Sequence, residues 1–91
     1  MPCYLLSRMQ LFFDVSPGVQ CMVGWDVPME TFFAQVYEIN EAGERTADTP
    51  ILWVGRRYCE VRSVDHLGIL LRHHAQLPAE IYNRLYAIEI D

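Results

Sequence analysis

Three histidines, His66, His73 and His74, are the residues whose type most readily suggests chemistry. Neutral imidazole is a common metal ligand, and near neutral pH it also serves as a general acid or base. The spacing argues against a shared metal. His66 and His73 are seven apart and would share a helical face, but two turns separate them by roughly 10 Å. A single ion with bonds of about 2 Å cannot reach both. His73 and His74 are adjacent, and so diverge by about 100° on a helix. His74 falls on an apolar stripe, where a hydrogen-bonded structural histidine is expected, and no bound metal or other cofactor is expected of this chain.

Cys59 lies near Arg56, Arg57 and Arg62, whose charges would favour a reactive thiolate. Read as part of a strand with Val61, it is instead a small buried hydrophobe. The same arginines with Tyr58 could hold an anion or stack on a single-stranded nucleic acid, but three arginines in an acidic chain more simply decorate a strand end. Glu38, Glu41 and Glu44 recur every third residue, which on a helix would array carboxylates for a hard cation. That run leaves a strand and enters a loop, so it reads as solvated.

The familiar enzymatic signatures do not occur. The five glycines are isolated, so there is no phosphate-cradling loop, and no G-x-S-x-G or H-E-x-x-H is present. All seven basic residues are arginine. Without lysine, a P-loop lysine, a Schiff base and a lysine general base are excluded. The net charge of −5, from twelve acids against seven bases, lacks the clustered basic footprint that DNA or anionic lipid requires.

Cys3, Cys21 and Cys59 are odd in number and widely spaced, with no C-x-x-C. This argues against a zinc knuckle, a thioredoxin-type pair or a secreted disulfide scaffold, and predicts three free thiols in a reducing cytoplasm. No stretch approaches the about 18 uninterrupted apolar residues of a spanning helix. The start, MPCYLLSRMQLFFDV, is interrupted by Arg8 and Gln10 and shows no signal-peptide cleavage site. Met9 offers an alternative start, and residues 1–9 are read as disordered or as a misassigned beginning.

The elements that must position these residues follow from periodicity. At 91 residues the chain is expected to form a single domain over 1–91. Residues 1–15 are ambiguous: Leu5, Met9, Phe12 and Phe13 fit one helical face, yet Leu11 to Val15 is strand-like and leads into the turn Ser16-Pro17-Gly18. A strand near 10–15 is favoured. Val19, Cys21, Val23 and Trp25 alternate with Gln20, Met22 and Gly24, the period of a strand with one buried face, and Thr31 to Ile39, rich in aromatic and β-branched residues, reads as a second strand. Polar residues 40–50 form a hairpin loop, Ile51 to Val54 a short strand, and Tyr58 to Arg62 would continue the pairing beyond a bend at Gly55.

After Ser63 the period changes. Val64, Leu67, Leu70, Leu71 and His74 form one helical stripe, with Ser63 as N-cap and Asp65 in the first turn. Leu77-Pro78 separates this helix from another carrying Ile81, Leu85 and Ile88, although 86–90 also alternates like a strand. The expected class is therefore α+β: an antiparallel sheet of three to five N-terminal strands, with two C-terminal helices packed on one face.

Two helices cover only one side of such a sheet. If Phe32, Ala34 and Val36 face them, then Phe33, Gln35 and Tyr37 face away, as would Trp53 and Tyr58. Phe33, Gln35, Tyr37, Trp53, Tyr58 and Arg62 together have interface composition. The expected function is a non-enzymatic protein-interaction or regulatory module whose partner is a second copy, as a homodimer, or another protein. The competing expectation is a small-molecule-binding protein or minor enzyme, with a pocket between sheet and helices near His74, Tyr82 and Cys21.

Overall fold

A computed structural model describes residues 8–15 and 18–90, the first two as backbone alone. Residues 1–7, with Cys3, and the Ser16-Pro17 turn lie outside the described residues. Four antiparallel strands come first: β1 (Arg8–Val15), β2 (Val19–Asp26), β3 (Thr31–Glu38) and β4 (Leu52–Val54). Two helices follow, α1 (Val64–Leu71) and α2 (Ala79–Glu89). The strands lie side by side in sequence order, each antiparallel to the next. Strand β1 begins at Arg8, and so residues 8 and 9, grouped at sequence level with a disordered start, pair with Asp26 and Trp25.

The alternation read from the sequence becomes the inner face of the sheet. Cys21 and Val23 of β2, with Phe32, Ala34 and Val36 of β3, are fully buried against Val64, Leu67 and Leu71 of α1 and Leu85 of α2. Leu11, Phe13, Val15, Leu52 and Val54 pack at the margins of this core. Trp25 meets Phe32 edge to face with ring centroids 4.8 Å apart, a favoured geometry for the ring quadrupoles.

Two expectations change, and one open choice is decided. Residues 58–62 do not extend the sheet as a strand; they form a turn and a connection, and only Phe32 N–H bonds the Val61 carbonyl, at 2.9 Å. Cys59 is therefore not an inward strand residue but sits half-buried with φ +60°, its N–H donating to Met29 O. Helix α1 stops at Leu71 rather than running to Pro78, because the chain tightens there. His74 and Ala75 N–H both bond to Leu71 O, which turns Ala75 inward and takes His74 off the helical stripe. The choice left open over 86–90 falls to helix, which continues through Glu89. Glu89, in the last turn of α2, accepts the Val64 N–H at 2.8 Å, while Ser63 Oγ accepts that of His66. The tail is held helical by capping its neighbour, since the first N–H groups of a helix have no partner within it.

Candidate functional site

The face of the sheet opposite the helices is ordered by register. Phe12 pairs with Met22, Met22 with Gln35, and Gln35 with Trp53, so one row crosses all four strands. Gln10, Gly24 and Phe33 form the row on one side of it, and Asp14, Gln20 and Tyr37 the row on the other. Side chains two apart on a strand share a face, so Phe33, Gln35, Tyr37 and Trp53 do lie together there, as their parity implied.

Their exposure is unequal. Phe33 is only 4% exposed and Tyr37 only 7%, although no helix covers them. Long side chains from the loops do so instead. The Arg45 guanidinium lies 3.7 Å from the centre of the Tyr37 ring and its Nε donates to Gln20, while Tyr37 Oη donates to Gln35 Oε1 at 2.7 Å. Such stacking hides the ring while the charge stays in water. Phe33 lies in a hollow shared with Asp26, Met29, Trp53, Gly55 and Arg56. Trp53, in contrast, is 44% exposed, with the Arg56 guanidinium 4.3 Å above its ring, and Phe12 at the far end of the row is 54% exposed.

The loop that delivers Arg56 is unusually constrained. Gly55 has φ +80°, and a Cβ there would meet Phe32 O at 2.1 Å and Phe33 Cα at 2.6 Å. The backbone thus rests directly on β3. One carboxylate then ties the turn. Glu60 accepts the N–H groups of Gly55, Arg56 and Arg57 at 3.0 to 3.1 Å. These bonds, that from Gly55 foremost, hold its carboxyl below the ordinary range against an opposing effect of burial. Tyr58 donates to Glu30 Oε2 at 3.1 Å, and that bond, with the neighbouring Cys59, raises its hydroxyl pKa. Arg62 is exposed between Val61, buried in the core, and the helix cap Ser63. Of the six expected contact residues, the strand register gathers Phe33, Gln35, Tyr37 and Trp53, while Tyr58 and Arg62 lie outside the strands and so outside that register.

Phe12, Met22, Arg45 and Arg56 belong to this face but were not read from the sequence as members of it. Phe12 carried a usable signal, since it alternates with the inward Leu11 and Phe13. The arginines carried none, because each arrives from a loop.

Elsewhere, burial and nearby Asp14 push the Cys21 thiol up to about 11. Glu38, Glu41 and Glu44 do not form a helical array: the loop folds about Asn40, whose Oδ1 accepts the N–H groups of Ala42 and Glu44. Among the described residues no three His, Cys, Asp or Glu side chains converge on a metal-sized site, and no helix is long and apolar enough to cross a membrane. A groove of about 500 Å³ runs between the helices, its lining including apolar Val64, Ile69 and Leu77 and polar Asp65, Arg72 and Tyr82. Tyr82 donates to Asp65 at 2.8 Å, which raises its pKa. Of the residues expected around a pocket between sheet and helices, Tyr82 lines this groove between the helices, His74 does not, and Cys21 is enclosed in the core. The chain matches no family model, no curated protein and no solved structure.

Proposed function

We propose that this chain is a non-enzymatic protein-interaction or regulatory module of the cytoplasm that associates with itself through the outer face of its sheet. The observation that carries this reading is the row Phe12, Met22, Gln35, Trp53, with an exposed aromatic residue at each end and an arginine stacked on the tryptophan. Tryptophan and arginine dominate interface energetics because each buries a large area and still satisfies polar groups. Trp53 and Phe12 do not contribute their full apolar area to the fold of one chain, and a covering partner would recover the remainder.

Trp53→Ala tests this. Truncating an interface anchor costs about 2 kcal/mol or more, roughly a 30-fold weaker self-association by sedimentation. Because Trp53 is about half exposed, roughly 100 Å² of its surface is buried in the fold, so about 2–3 kcal/mol of stability is lost and the variant still folds. A wild-type chain that stays monomeric at every concentration, combined with a variant that unfolds, would sink the reading. The helix groove would then favour a small-molecule ligand, its apolar floor and Arg72 suiting an apolar acid.

A further inference from the structure

We infer that the edge of β1 left unpaired among the described residues pairs antiparallel with β1 of a second copy, centred on Leu11, joining two sheets into one of eight strands. This goes beyond the outer-face reading, since it concerns the hydrogen-bonding edge of the sheet rather than its face.

The argument starts with the direction of the backbone groups. Ile51 N–H donates to Val36 O, and Phe32 N–H to Val61 O, so even-numbered residues of β3 aim their backbone groups away from β2. Odd-numbered residues aim at β2, as the Ile39 N–H bond to Gly18 O confirms. Carried through the register, odd residues of β2 face β1 and odd residues of β1 face β2. Residues 8, 10, 12 and 14 therefore present N–H and C=O groups on the side of β1 that pairs with no described strand. An eight-residue edge of this kind is a template for another strand.

Two further observations select a second copy as occupant. The helices lie over β3 and β2, and Leu11, Phe13 and Val15, although they face the core, remain partly exposed at its open margin. The strand is also complementary to itself. With Leu11 opposite the second copy's Leu11, Gln10 meets the second copy's Phe12, Met9 meets Phe13, and position 8, an arginine, meets position 14, an aspartate. The 10–12 and 8–14 pairs are the hydrogen-bonded ones, as the outward-facing residues require. Both helix layers fall on the same side, which continues the core across the seam. On the outer face the two Phe12 rings become diagonal neighbours, within reach of aromatic contact. A slip of one residue would invert the faces, and a slip of two would take position 8 out of register with position 14.

The test uses cysteine cross-linking and amide exchange on the full chain. In a Cys3→Ser, Cys59→Ser background, Leu11→Cys should oxidise in air to a disulfide dimer, because the two residues face each other on the two-fold axis. Val15→Cys should not, since the two copies of that residue lie eight positions apart, roughly 27 Å. In the unsubstituted chain the amides of Gln10, Phe12 and Asp14 should exchange at least ~100-fold more slowly than unpaired amides. Fast exchange at these three positions, or equal cross-linking at 11 and 15, overturns the proposal, and the exchange measurement decides the matter should Leu11→Cys fold poorly. Repeating both in Trp53→Ala separates the two ideas. Edge protection that survives beside unaltered sedimentation defeats only the outer-face reading, whereas association that depends on Trp53 with fast edge exchange defeats only this one.

Discussion

Replacing Gly55 with alanine should be among the most damaging single-methyl changes this fold can suffer, and Gly43 supplies its internal control. Both glycines have φ near +80°, so alanine at either adopts a left-handed conformation that costs about 1–2 kcal/mol. At Gly43 nothing lies within 4 Å of the added Cβ, and that conformational cost is the whole effect. At Gly55 the Cβ would stand 2.1 Å from Phe32 O, 2.6 Å from Phe33 Cα and 2.7 Å from Phe33 Cβ. Two of these three neighbours are backbone atoms of β3 that cannot rotate aside. The loop must instead lift by about 1 Å to restore ordinary contact. Lifting it weakens the Gly55 N–H bond to Glu60 and loosens the Arg56 stack on Trp53, adding about 2–3 kcal/mol. Gly55→Ala should therefore cost about 3–5 kcal/mol, a large part of the stability of a chain this size. Gly43→Ala should lower Tm by about 4–8 °C per kcal/mol lost, and Gly55→Ala by two to three times as much. Urea titration of both variants measures the difference directly. Equal midpoints would refute the claim that backbone proximity, rather than the sign of φ, makes Gly55 necessary.

Glu60 has a folded pKa below its unfolded value, so its stabilising effect is complete above the ordinary carboxylate pKa and is lost as pH falls through the lowered one. Glu60→Gln should consequently be less stable at pH 7 but flatter in its acid limb, and parallel urea midpoints from pH 7 to 3 would contradict this. Glu89→Ala removes the acceptor of the Val64 N–H and should cost about 1 kcal/mol, seen as a lower Tm; an unchanged Tm would show that water caps the helix equally well. Cys21, buried and with its thiol raised to about 11, should resist alkylation at pH 8 in the folded chain while Cys59 reacts. Thiol counting under denaturing, non-reducing conditions should return three; a count of one would reveal a disulfide.

What the sequence determined by itself was whatever rests on local periodicity and local steric rules. The two-residue alternation of Val19 to Trp25 and the aromatic and β-branched composition of Thr31 to Ile39 specified strands, and the stripe from Val64 to Leu71 behind Ser63 specified a capped helix. The order of these elements then implied an antiparallel sheet under two helices, because each apolar face has to be buried against another. Strand parity alone also placed Phe33, Tyr37 and Trp53 on the outer face. Tertiary structure decided which of them remained open. Arg45 and Arg56 come from loops whose course depends on contacts distant in sequence, among them Gly55 against Phe32 and the Arg45 bond to Gln20. No period marks such residues, so the burial of Tyr37 beneath Arg45 could not be read from either segment alone. The end of the chain was decided in the same way. The 86–90 segment alternates like a strand, but Glu89 caps α1, and that bond exists only once the two helices have packed.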